Sequence, residues 1–215
     1  MAWTEKILSF FKYNLYRYNY LMIDTSSIQF NLQSEFHMLR HFENVNSLIH
    51  ENLIREGYTQ KEIEEELLLV GSKFNSTFAT DISSLLKRFI HYPTKETIGS
   101  NGNLVVECQV SESDFPEGIG TKAVIPIQDI PDAEIRFVYL KKNRDVDLLH
   151  YKIDNFPTTN ACTLILKPLK SGYLFISAFP GASAMPIPIT SMDLTLFNSC
   201  KEFWDNHVFL ELKKD

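Results

Sequence analysis

Two histidines stand four residues apart in FHMLRHF (Phe36–Phe42). On a helix such a pair shares one face. Three uses compete for His37 and His41. They can be partly buried helix residues, a metal pair, or a general acid and base, because imidazole with an unperturbed pKa of about 6.5 takes and returns a proton at neutral pH. The HxxxH spacing occurs in zinc helices. Here Met-Leu-Arg fills the middle, where a metalloprotease carries its glutamate, and Arg40 adds positive charge. No metal is expected.

A second candidate is Ser177, inside the apolar stretch SGYLFISAFPG (Ser171–Gly181). Strict strand alternation puts Tyr173, Phe175, Ser177 and Phe179 on one face and Leu174, Ile176 and Ala178 on the other. One hydroxyl on an aromatic face either bonds to backbone or donates to a ligand oxygen such as a phosphoryl, with Phe179 as a stacking wall for a base. No GxSxG elbow surrounds it, which argues against a nucleophilic serine. A third candidate is Asn52 with Arg55. Asn52 falls on an otherwise apolar stripe, so a buried amide there needs a partner. Arg55 either faces solvent at a helix end or clamps phosphate with its guanidinium fork. No Walker loop, GxGxxG or carboxylate cluster is present, so nucleotide hydrolysis and dinucleotide binding are not expected.

These residues must be positioned by a chain of 215 residues, with 44 % apolar and 22 % charged residues, enough to bury a full core. Residues 3–22 read as an aromatic amphipathic helix, an arm over residues 1–25 that packs on the domain, a partner chain or another copy. DTSS (Asp24–Ser27) breaks it. A helix is expected from about Ser34 to Glu56, with Val45, Leu48, Ile49 and Leu53 as its apolar stripe. TQKE (Thr59–Glu62) has capping-box spacing and opens a helix to about Val70. Asp81 caps another, with Ile82, Leu85, Leu86 and Phe89 on one side. The polar run TKETIGSNGN (Thr94–Asn103) closes the helical half.

Beyond it lie short β-branched or aromatic runs separated by turn residues: NLVVECQV, TKAVIPI, EIRFVYL, LLHYKI, CTLILKP and GYLFISAF. No helix-length segment lies between them to serve a parallel crossover, so the sheet should be mostly antiparallel. A helix over about Met192–His207 and an edge strand at VFLEL (Val208–Leu212) complete the chain. Helices first and strands afterwards mean α+β, here a single domain over residues 26–215. The net charge of −6 disfavours nonspecific nucleic-acid binding but allows a local basic pocket. The three cysteines, Cys108, Cys162 and Cys200, form no CxxC pair and read as reduced thiols, which suits a cytosolic protein. No segment is apolar enough to span a bilayer.

In their order these pieces resemble a known family: the ribonuclease-A-like, tRNA-cleaving domain at the C-termini of bacterial contact-dependent growth-inhibition toxins. FHMLRHF stands where that family has its histidine motif, SLIHENLIRE where it has an arginine-bearing helix, and GSKFNSTFATDISSLLKRFI where a turn leads into a helix. CTLILKPLKSGYLFISAFPG stands at its closing hairpin. The resemblance covers about residues 34–181. It implies a ribonuclease-A-like core with an extra C-terminal helix, and a metal-independent, cofactor-free RNA endonuclease. Its reaction would be attack of the RNA's own 2′-OH with histidine acid–base catalysis. It matches His41 to the catalytic histidine, Ser177 to a threonine and Phe179 to an aromatic position. His37 is the candidate second proton carrier. The family's arginine falls nearest Asn52, with Arg55 the closest substitute. It further implies a tRNA substrate, a neutralising immunity protein and action in the cytoplasm of a target cell. The competing class is a noncatalytic α+β binding module, or an inactive relative that keeps the fold.

Overall fold

The computed structural model describes residues 24–68, 71–89, 91–92, 94–99, 102–130, 136–140 and 147–213. The aromatic arm over residues 3–22 lies outside them. Among the described residues the α-helices are α1 (Leu32–Met38), α2 (Ser47–Arg55), α3 (Gln60–Leu67), α4 (Ile82–Phe89) and α5 (Leu194–Asp205). The strands are β1 (Ile28–Gln29), β2 (Thr94–Ile98), β3 (Leu104–Gln109), β4 (Gly120–Thr121), β5 (Val124–Pro126), β6 (Arg136–Leu140), β7 (Asp147–Ile153), β8 (Thr158–Thr159), β9 (Ala161–Pro168), β10 (Tyr173–Pro180) and β11 (His207–Leu212). The fold is α+β. One sheet has the order β1-β10-β9-β3-β2, a second β5-β11-β7-β6, and β4 pairs with β8.

The helical half follows its sequence signals where capping is explicit. Thr59 and Glu62 form a reciprocal capping box that starts α3. The Asp81 carboxylate accepts from the Ser84 amide at 2.6 Å, and α4 buries Ile82, Leu85, Leu86 and Phe89. Their partners are Leu104, Val106, Leu164, Leu166, Phe175 and Ala178, which make the main core on one face of the five-stranded sheet. The expected helix from Ser34 to Glu56 is instead two. After α1 a single 3-10 turn, Leu39–His41, leads into extended backbone, where Phe42 bridges to Phe74. The Asn46 side chain then accepts from the Leu48 amide and starts α2 afresh. The stripe breaks with it: Ile49 and Leu53 are buried against Leu39 and Ile63, while Leu48 is exposed.

The strand half differs in three places. TKETI is not loop but β2, an exposed edge paired with β3, whose polar residues suit a strand with little to bury. β11 is not an edge: it lies between β5 and β7, antiparallel to one and parallel to the other. A second parallel pair joins β1 to β10. Parallel neighbours need long crossovers; α5 is part of that between β7 and β11, and Trp204 of α5 stacks on Phe209 of β11 with 4.6 Å between ring centres.

β10 holds the feature that matters most for the site. Its register on β9 shifts between Phe175 and Ser177, a bulge at Ile176. An extra residue reverses the facing of everything after it. Phe175 and Ala178 therefore both enter the core, while Ser177 and Phe179 turn to the other face. The expectation that Phe175 and Ser177 share a face is overturned by this one inserted residue. β1 covers β10 only at Tyr173 and Leu174. Beyond them α1 and the turn after it run along the open edge. The Ser34 hydroxyl donates to the Phe175 carbonyl at 3.2 Å, and the Ala178 amide points at Met38 Sδ at 3.3 Å. Covering an edge this way satisfies backbone groups and blocks strand addition. It also places the His37–His41 face beside Ser177.

Candidate active site at the seam of two sheets

A cleft of about 480 Å³ opens where the end of β10 meets the four-stranded sheet. One wall carries His41, Ser72, Ser177 and Phe179; the other carries Leu148 and His150 of β7 with Phe209 and Glu211 of β11. Lys122 belongs to the lining, and Gly181 lies against it. Gly181 ends β10 with φ of 107°, a left-handed backbone that favours glycine, and an added Cβ would come within 3.3 Å of Lys122 Cβ. A side chain there would crowd the base of the lysine as well as strain the backbone.

His41 is held at three points. Its carbonyl accepts from the Phe74 amide at 2.7 Å. Its ring lies 6.0 Å from that of Phe179. Its Nδ1 donates to the Ser72 carbonyl at 3.0 Å, and because a carbonyl only accepts, the proton sits on Nδ1 and Nε2 is the basic nitrogen. Burial pushes the imidazole pKa down to about 3 against the favourable pull of the Ser72 carbonyl, with His37, Arg40 and Lys73 adding positive charge nearby. His41 is neutral at physiological pH.

His37 stands one turn earlier, its ring centre 6.1 Å from that of His41. Its Nε2 is 3.2 Å from Ser177 Oγ. It does not line the cleft but backs the serine that does. Burial, then Arg40, lowers its pKa, with Glu66 opposing. A histidine within reach of a serine suggests nucleophile activation. Among the described residues, however, no hydrogen bond reaches His37 Nδ1, so the pair lacks the third group that orients a triad's base.

The sequence reading missed His150, which carries no helical or motif signal. Its Nδ1 donates to Glu211 Oε1 at 2.7 Å, and its ring lies 5.6 Å from that of Phe209. β7 and β11 are parallel neighbours in register from Val208↔Leu149 to Leu212↔Ile153, and that pairing brings residues 61 positions apart together. Only the strand pairing reveals it.

Asn52 and Arg55 are elsewhere. Arg55 donates to Asn52 Oδ1 at 2.8 Å on the exposed side of α2, and neither residue lines the cleft. The side-chain oxygen of Asn52 is thus answered by Arg55 within α2. Arg40 is nearer the histidines but is committed to Glu66, through Nε at 2.7 Å and a closer Nη2 contact. Lys73 donates to the Leu67 carbonyl, and burial lowers its pKa. Among the described residues Lys122 is the cation in the cleft lining with no ion-pair partner.

No group of three or more His, Cys, Asp or Glu placed to hold a metal ion occurs among the described residues, and no described helix is long and apolar enough to cross a membrane. The arrangement sets two imidazoles, a hydroxyl and an ammonium around one cleft that aromatic rings also line. No family model matches this chain, and no curated protein or solved structure matches it either.

Proposed function

We propose that this protein is a metal-independent RNA endonuclease, a divergent member of the ribonuclease-A-like toxin domains, acting at the cleft between its two sheets. The observation that carries the reading is the composition of that cleft. His41 and Ser177 come from one sheet's wall and the carboxylate-held His150 from the other, around a cleft of about 480 Å³.

In the reaction His41 Nε2 removes the proton of a ribose 2′-OH, and that oxygen attacks the adjacent phosphorus. The bond from phosphorus to the 5′ oxygen breaks, and His150 donates the proton this oxygen needs to leave. The products carry a 2′,3′-cyclic phosphate and a 5′-hydroxyl. The Lys122 ammonium and the Ser177 hydroxyl meet the charge that builds on the phosphoryl oxygens. In this reading His37, which is outside the cleft lining, holds the Ser177 hydroxyl in place, and His150 takes the second proton carrier's part. A base with a pKa of about 3 is weak when the cleft is empty. A bound phosphodiester anion offsets the positive neighbours and raises its proton affinity. The aromatic rings of Phe179 and Phe209 offer faces on which bases stack. A tRNA substrate, a neutralising immunity protein and action in a target cell's cytoplasm belong to the same proposal and rest on the sequence resemblance alone.

A specific observation favours the second reading, an inactive relative serving as a binding module: among the described residues the cleft lining holds no arginine, with Arg55 bound to Asn52 and Arg40 to Glu66. The two readings separate in one assay. Purified protein is incubated with total tRNA in EDTA. The nuclease reading expects fragments that His41→Asn abolishes, the asparagine amide still donating to Ser72 while the basic nitrogen is gone. Intact tRNA under wild-type protein, or equal cleavage by the variant, removes the nuclease.

A further inference from the structure

The three cysteines read from the sequence as isolated, reduced thiols. The sheet sets two of them against each other. Cys108 on β3 and Cys162 on β9 are direct cross-strand partners, and their sulfurs are 3.0 Å apart. Directly opposed residues of an antiparallel pair have Cα atoms about 4.5–5.5 Å apart. Disulfides span roughly 4.4–6.8 Å between Cα atoms. Direct pairing therefore puts the two residues within the Cα range a disulfide spans. Cys200 is buried on α5, packed on the other sheet, outside the cluster that holds this pair.

We infer that Cys108 and Cys162 are a disulfide site, closed when the chain folds in an oxidising compartment. Two thiols lose two protons and two electrons, and a small or enzyme-borne disulfide accepts them, becoming two thiols. The exchange begins with a thiolate attacking the donor disulfide and ends when the second cysteine displaces the mixed disulfide. Timing follows from burial. Both sulfurs lie within the core, and burial raises the Cys162 thiol further from ionisation. Buried in the folded sheet, the pair meets neither oxidant nor reductant readily, so the bond forms during folding and resists reduction afterwards. It ties the middle of the five-stranded sheet across a span of 54 residues. β9, which carries Cys162, is also the strand on which β10 and Ser177 are registered.

The test is the full chain expressed with export to the bacterial periplasm, where disulfides form and persist. It is purified without reductant and alkylated under denaturing conditions, and its peptides are mapped. A peptide pair linked through Cys108 and Cys162, with Cys200 alkylated, is the expected result. Dithiothreitol should open the bond at least about tenfold more slowly in native buffer than in denaturant. Reductant present throughout a thermal scan should lower the melting temperature of the linked protein by roughly 10 °C, and should leave Cys162→Ser unmoved. Alkylation of all three cysteines in the folded wild-type protein, or a link that includes Cys200, overturns the inference. The readout is a covalent bond, so it stands or falls independently of RNA cleavage.

Discussion

The two walls of the cleft hold their histidines in opposite settings. On the five-stranded side His41 is sealed in, 8 % exposed, its Nδ1 fixed by a backbone carbonyl and its neighbours positive. On the four-stranded side His150 has a carboxylate for a partner, and that partner is half open to solvent. A neutral carbonyl fixes a tautomer with only a partial negative charge to offset burial; a carboxylate fixes it with a full one. One wall thus carries a neutral imidazole with Nε2 unprotonated, and the other an imidazole whose Nδ1 is held by an acidic side chain. In the proposed reaction the first receives a proton and the second gives one.

Breaking the first wall should cost most. His41→Asn is expected to lower RNA cleavage by about 10²–10⁴-fold, measured as initial rates on a labelled oligoribonucleotide, with the circular dichroism spectrum unchanged. A residual rate within threefold of wild type would remove His41 from the chemistry.

Breaking the second wall should cost about 10²-fold or somewhat more on RNA, but only while the leaving group needs a proton. His150→Ala should cleave a uridine 3′-phosphodiester of 4-nitrophenol almost as fast as wild type, because that phenolate leaves unaided. His41→Asn should remain slow on the same ester. Equal losses by His150→Ala on both substrates would make it a packing residue. Glu211→Gln should follow the same pattern with a smaller loss.

The contrast can also be read without substrate. His41 has a folded pKa of about 3 against an ordinary 6.5, so the unfolded chain binds the extra proton between those values. Its contribution is complete above pH 6.5 and is lost as pH falls toward 3. Urea unfolding of wild type should weaken across that window by a few kcal/mol more than that of His41→Asn. Parallel pH curves for the two proteins would show that His41 does not resist protonation.

Lys122→Met should lower cleavage by roughly tenfold, as expected for one lost charge contact with a transition-state phosphoryl. It should also flatten the salt dependence of substrate binding by about one ion. Arg55→Ala should change the rate by less than about twofold, because its guanidinium is bound to Asn52 at the exposed surface of α2 and does not line the cleft. A large loss there would restore the carried-over role that the geometry denies it.

Much of this molecule is legible where chemistry is local. The Thr59–Glu62 box, the Asp81 start and the Ile82–Phe89 stripe depend on neighbours within four residues, and they are found where the residues say. The strands of the second half are legible for the same reason. What is not legible is set by pairing at a distance. The bulge at Ile176 leaves no mark in an apolar run, yet it alone turns Ser177 away from Phe175 and into the cleft. The interior place of β11, the facing of Cys108 and Cys162, and the meeting of His150 with Glu211 all depend on which strand lies beside which. The break at Phe42 depends on Phe74, 32 positions away in sequence, as its bridge partner. The site is thus half local, the His37–His41 turn, and half a product of sheet order.

One measurement bears most directly on the claim that two histidines across one cleft perform ribose-assisted cleavage. Wild-type protein is given an oligoribonucleotide in EDTA and a matched copy with 2′-deoxyribose at the cleaved position, and the product ends are identified by mass. Cutting of the first alone, with 2′,3′-cyclic phosphate and 5′-hydroxyl ends, is the expected result. Cutting of both, or of neither, contradicts it.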